Sequence, residues 1–161
     1  AINPADLSAA LRADGAAFVT LTRADGSLRG CIGTLEAYQP LVLDVRERAA
    51  AAAVDDPRFA PVTPGELPSL HIEISRLTAP QDLAYTAPEQ LPGLLRPGVD
   101  GVILHDGRAR ATFLPQVWDQ LASPERFLSQ LCQKMGRPAD LWRRQMLRVQ
   151  IYQVEEFSET G

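Results

Sequence analysis

Lysine is nearly absent from this chain: of sixteen basic residues only Lys134 is not Arg. The basic residues form no dense block, and the formal net charge is -4 with a pI of about 5.2. That balance argues against a protein held on nucleic acid by neutralising phosphates. Cysteine and histidine are equally scarce, with Cys31, Cys132, His71 and His105 dispersed along the chain. Two distant thiols are too few for a disulfide scaffold, and the four residues lack metal-ligand spacing, so no metal site is indicated. No apolar run reaches the roughly 18 residues of a membrane span. No charged-then-apolar leader opens the chain, so a cytoplasmic protein without membrane association is the expectation. A Walker pattern and a glycine-rich phosphate loop after a strand are also missing, which leaves the cofactor open. The chain begins on Ala1 and not Met, which reads as a processed or trimmed start.

What remains is 161 residues of ordinary globular composition, 45% hydrophobic and 22% charged, long enough for a real core. Residues 1–161 read as a single domain, with room for two lobes and a cleft lined by residues 28–34. The pattern predicts a short helix over Asp6 to Ala13 and then a hairpin from Ala17 to Thr34, turning at Asp25-Gly26. Pro40 opens a helix to Val54, whose alanine run suits close packing on a sheet, and Asp55-Asp56-Pro57 stops it. After a proline-rich loop, Leu70 to Leu77 alternates as a strand. A short helix over Pro88 to Leu95 and a hairpin turning at Asp106-Gly107 follow. Ser123 and Pro124 begin a helix with the apolar stripe Phe127, Leu128, Leu131, Cys132 and Met135. Leu147 to Phe157 reads as one final strand. Hairpins dominate the short connections, so the fold class is α+β, an antiparallel sheet flanked by helices, with a larger and a smaller lobe.

The chemistry concentrates in Leu28-Arg29-Gly30-Cys31-Ile32-Gly33. Strand alternation places Arg29 and Cys31 on one face, about 6 to 7 Å apart, while Gly30 and Gly33 leave room for close approach. Arg29 near the thiol would lower its pKa. A free cysteine packed as a small hydrophobe competes with that reading, and for Cys132, on an apolar stripe, the core reading wins. His71, Glu73 and Ser75 share a strand face, which permits a Cys–His–Glu device if that strand lies beside Cys31, or else simply a solvated face. His105 reads as a surface turn residue. Asp55-Asp56-Pro57-Arg58-Phe59 reads as a helix stop with a local ion pair or as an anion-binding Arg at a helix end. Gln116 and Trp118 stand at a strand-to-helix junction, where an aromatic is usually core.

The motif Leu28-Arg29-Gly30-Cys31-Ile32-Gly33 resembles the hallmark of the AMMECR domain family. The resemblance continues in order through Phe18-Val19-Thr20-Leu21, Asp56-Pro57-Arg58-Phe59, Ile72-Glu73-Ile74-Ser75, Pro97-Gly98-Val99-Asp100-Gly101 and Ala111 to Trp118, then Pro124 and Phe127-Leu128. It covers about Gly15 to Phe157. It implies an α+β fold with a larger antiparallel lobe and a smaller one, and no settled biochemical activity. It implies partners in a three-protein system: a radical S-adenosylmethionine enzyme and a Memo-like protein related to ring-opening dioxygenases. Carried onto this chain it marks Arg29, Cys31, Arg58, Glu73, Asp100 and Gln116, and it lends no support to a Cys–His dyad. The family's N-terminal helix is expected to be absent or cut short here.

Two functions therefore stand open. One is an accessory component that binds a small molecule or a partner through Gly30, Gly33, Arg58, Glu73, Asp100 and Gln116. The other is a thiol-dependent enzyme with Cys31 as nucleophile or redox group and Arg29 as its activator.

Overall fold

The computed structural model describes residues 3–159. The chain divides into two compact units, one running to Ala79 and resuming at Glu155, the other spanning Pro80–Val154. In the first, β1 (Ala16–Thr22) and β2 (Leu28–Gly33) form the expected hairpin. Gly26 takes φ +84° in its turn, a left-handed conformation that glycine adopts without steric cost. Asp25 accepts the Ser27 N–H at 2.9 Å and fixes the same turn. β3 (His71–Leu77) pairs antiparallel with the other edge of β1, and β8 (Val154–Ser158) lies beyond it, so the sheet order is β2-β1-β3-β8.

Period-2 alternation sends Val19, Leu21, Ile32, Ile72 and Ile74 to one face, where they pack with Val45, Ala49, Ala52 and Ala53 of α2 (Leu41–Val54). Burying Val19 or Leu21 contributes about 1.5–3 kcal/mol each. The small alanines let α2 approach so closely that a Cβ on Gly30 would overlap the Ala52 carbonyl oxygen. Asp44 in the first turn of α2 is fully buried. It accepts the Ala17 N–H at 3.0 Å and the Thr34 hydroxyl at 2.9 Å, tying helix to hairpin. Ahead of β1, the early helix is a single turn, α1 (Ala9–Arg12).

The second unit holds β4 (Gln81–Asp82), β5 (Gly101–Asp106), β6 (Ala109–Phe113) and β7 (Arg148–Tyr152) in the order β4-β7-β5-β6, with antiparallel pairings. Helices α3 (Leu91–Leu94), α4 (Pro124–Lys134) and α5 (Leu141–Arg144) accompany them. The stripe Phe127, Leu128, Leu131 and Cys132 of α4 is fully buried. Trp118 stacks on Phe127 with ring centroids 3.8 Å apart, so the junction aromatic is core. The architecture is α+β with antiparallel sheets.

Two local expectations change, and one short strand is added. The final strand is two strands: β7 joins the second sheet beside β5, and β8 joins the first beside β3, with Gln153 interrupting them. One alternating run therefore serves two sheets, which its periodicity does not reveal. β4, at two residues, is too short for any periodic signal. His105 lies within β5, half-buried, with its Nε2 at 2.8 Å from Gln150 Oε1, and is not a turn residue.

Candidate functional site

The site is built on the face of the first sheet away from α2 and on its free edge. Cys31 stands opposite Thr20, and Thr20 stands opposite Glu73 on the far side of β1. Directly paired residues share a face, so Cys31, Thr20 and Glu73 form one row on the face away from α2. Cys31 is half-buried, and its Sγ lies 3.3 Å from the Thr20 hydroxyl. β3 does not lie beside β2, so His71, which is exposed and opposite Thr22, is kept from Cys31 by the width of β1. The condition for a Cys–His–Glu device is not met.

Arg29 departs from simple alternation. Thr22 pairs with Leu28 but Leu21 pairs with Gly30, so Arg29 is the extra residue of a β-bulge. Its buried guanidinium turns to Glu66 in the proline-rich loop, donating from Nε at 2.9 Å and Nη2 at 3.3 Å. Glu66 also accepts the Thr63 N–H at 2.8 Å. Arg29 and then Thr63 hold the Glu66 carboxyl down at about 2. Nη1 of Arg29 is buried with no hydrogen-bond partner among the described residues.

The residues after α2 close the free edge of β2. Asp56, buried, accepts the Cys31 N–H at 3.0 Å, and Arg58 Nη2 donates to the Cys31 carbonyl at 3.4 Å. Arg58 also donates to Asp56 from its backbone N–H and Nε, both at 3.0 Å, and from Nη2 at 2.7 Å. The pair thus occupies the outward N–H and C=O that an edge strand would otherwise offer to another strand. Arg58 holds the Asp56 carboxyl well below the usual carboxylate range, against the opposing effect of burial. In turn Asp56 keeps Arg58 more firmly protonated. The guanidinium carbons of Arg29 and Arg58 lie 5.9 and 5.6 Å from the Phe59 ring centre.

Glu73 is half-buried and makes no hydrogen bond or ion pair among the described residues. Burial, and secondarily Glu156, push its carboxyl above the usual value. Gly33 is a glycine because the Phe18 ring lies where its side chain would be. Its bareness is filled by protein.

The first unit therefore gathers Arg29, Gly30, Cys31, Gly33, Arg58 and Glu73. Asp100 and Gln116 belong to the second unit. Asp100 is fully buried, accepting from Arg96 Nη2 at 2.8 Å and Gln153 Nε2 at 2.9 Å, while its carbonyl accepts the Trp118 indole N–H at 2.7 Å. Gln116 is exposed on a 3₁₀ turn, Pro115–Asp119. A groove of about 610 Å³ in the second unit, lined by Leu83, Tyr85, Met146 and Leu147 among others, includes none of the candidate residues. No group of His, Cys, Asp and Glu suited to a metal ion occurs among the described residues. No described helix is long and apolar enough to cross a membrane.

Sequence reasoning missed Thr20, Glu66 and the edge-capping role of Asp56. Alternation marks Thr20 as polar on a half-buried strand, but only strand order sets it between Cys31 and Glu73. For Glu66 no local signal exists.

Relatives at high coverage support a single assignment. A protein of Thermofilum pendens is 42% identical over 98% of this chain and 78% of its own length. One of Methanothermobacter thermautotrophicus is 42% identical over 98% of this chain and 82% of its own. The crystal structure of the uncharacterized protein PH0010 from Pyrococcus horikoshii superimposes with a TM-score of 0.88 at 36% identity, covering 98% of this chain and 80% of that one. The family model described as AMMECR1 matches residues 1–157. The chain belongs to the AMMECR1 family.

Proposed function

We propose that this protein is a binding component of a three-protein system, acting with a radical S-adenosylmethionine enzyme and a Memo-like protein. The sheet edge and the face away from α2 around Cys31 receive the partner or a small molecule. One observation carries the reading: both guanidinium groups of the motif region are already engaged, Arg29 by Glu66 and Arg58 by Asp56. Arg29, the activator a nucleophilic thiol would need, is spent on holding a loop. What the region offers outward is a half-buried thiol beside a hydroxyl, with the more than half-exposed Arg58 at the sheet edge.

The test is direct binding between separately purified proteins of one genome. A complex with the Memo-like or radical S-adenosylmethionine protein, weakened by Arg58→Ala and by Cys31→Ser in folded variants, supports the reading. No complex at about 100 μM, equivalent to about 5.5 kcal/mol of binding free energy, removes it.

The second reading, a thiol-dependent enzyme using Cys31, is favoured by the 3.3 Å contact between Sγ and the Thr20 hydroxyl. A hydroxyl at that distance can either accept the thiol proton or donate to the thiolate.

A further inference from the structure

We infer that Cys31, Thr20 and Glu73 form a proton relay across three strands, in which the Thr20 hydroxyl passes the Cys31 proton to the Glu73 carboxylate and leaves Cys31 a nucleophile toward soft electrophiles. The inference deepens the thiol reading and rests on it, not on partner binding. Its basis is register. Thr20 faces Cys31 on one side and Glu73 on the other, all on one face of the sheet. The first link is formed, with Sγ and Oγ1 3.3 Å apart. For the second, directly opposed residues place their Cβ atoms about 5 Å apart. That gap lies within reach of the Glu73 carboxyl, which no other hydrogen bond or ion pair among the described residues restrains.

The exchange balances. The S–H bond of Cys31 breaks as the proton joins Thr20 Oγ1, and the hydrogen already on Oγ1 moves to Glu73. One negative charge passes from carboxylate to sulfur, and Thr20 ends as it began. The surroundings favour the transfer at the Glu73 end. There, half-burial and Glu156 on β8 disfavour the ionised carboxylate. At the Cys31 end, the charged group on the sheet edge is Arg58, which donates to the Cys31 carbonyl and is itself paired with Asp56. On β3 itself, His71, Ser75 and Leu77 share the face with Glu73, and β1 contributes Ala16, Phe18, Thr20 and Thr22, none of them charged. Arg29 is absent from the set because it is held by Glu66.

The experiment is the pH dependence of Cys31 alkylation by iodoacetamide, with the modified residue identified by peptide mass mapping. Sulfur displaces iodide and forms a thioether, and because the thiolate is the nucleophile the pH dependence of the rate reports thiol deprotonation. A relay gives the wild-type profile a pH-independent shelf between the ionisation of Glu73 and that of the thiol, because the carboxylate acts as base there. Glu73→Gln and Thr20→Val each lower the shelf by about tenfold, at the modest end of what a positioned proton acceptor contributes. Thr20→Ser, which keeps the hydroxyl, retains it. A single-ionisation profile in the wild type, or a shelf that survives either Glu73→Gln or Thr20→Val, overturns the relay. Folding of each variant is checked by circular dichroism, and the isosteric Glu73→Gln keeps the test available if Thr20→Val fails to fold. No partner is in the assay, so its failure leaves the binding proposal standing.

Discussion

The carboxylate of Asp56 accepts the backbone N–H of Cys31 at 3.0 Å, although Asp56 follows the end of α2 and Cys31 lies in an edge strand. With Arg58 donating to the carbonyl of the same residue, two side chains take the place of a neighbouring strand. The segment after α2 is thereby part of the Cys31 motif, and its contribution can be measured.

Removing the carboxylate should expose that dependence. Asp56→Ala leaves the Cys31 N–H and the Arg58 guanidinium without their acceptor, at an expected cost of about 2 kcal/mol. Urea unfolding reads this as a lower midpoint at unchanged slope. A variant as stable as the wild type would mean that solvent replaces the carboxylate without loss.

Acid should loosen the same region through Glu66. Its folded-state carboxyl lies at about 2, below the roughly 4.3 of an unfolded glutamate. The stability from this depression is present above about 4.3 and is lost as pH falls toward 2. Asp56, depressed by Arg58, adds a loss of the same sign below about 4. In Arg29→Gln, the Glu66 midpoint followed by carboxyl NMR should rise toward its ordinary value. A midpoint unmoved by that substitution would show that Arg29 is not the cause.

The two motif glycines should respond unequally. A Cβ on Gly30 meets the Ala52 backbone carbonyl of α2, whereas one on Gly33 meets the Phe18 ring. A backbone cannot yield without moving the helix, while a side chain has rotamers to spare. Gly30→Ala should therefore cost more than about 3 kcal/mol, and Gly33→Ala measurably less. Equal losses in thermal unfolding would contradict this packing.

The two thiols should separate by accessibility. Cys132 is fully buried in the stripe of α4 and Cys31 is half-buried. Burial also pushes the Cys132 thiol up. Titration with a disulfide reagent should release one equivalent from the native protein and a second only after unfolding. Two equivalents at equal rates under native conditions would place Cys132 nearer the surface.

Much of the architecture is written locally. Alternation at Val19 and Leu21, the alanines of α2, the Asp25-Gly26 turn and the Ser123-Pro124 helix start are properties of short windows, each acting through backbone geometry or one-sided burial. The Cys31 motif stood out for the same reason, because a thiol and a guanidinium between glycines is an unusual local composition. Alternation tells which face a residue takes, but not which strand lies beside it. The order β2-β1-β3, which puts Thr20 between Cys31 and Glu73 and removes His71 from reach, is a choice among distant pairings. The bulge at Arg29 arises from how two strands register, and the capture of its guanidinium by Glu66 joins residues no short window contains. Composition and periodicity determined most of the elements and their buried faces; tertiary structure decided which polar groups meet and which sheet the last strands join, because hydrogen bonds and ion pairs act over a few ångströms that only the assembled sheet brings together.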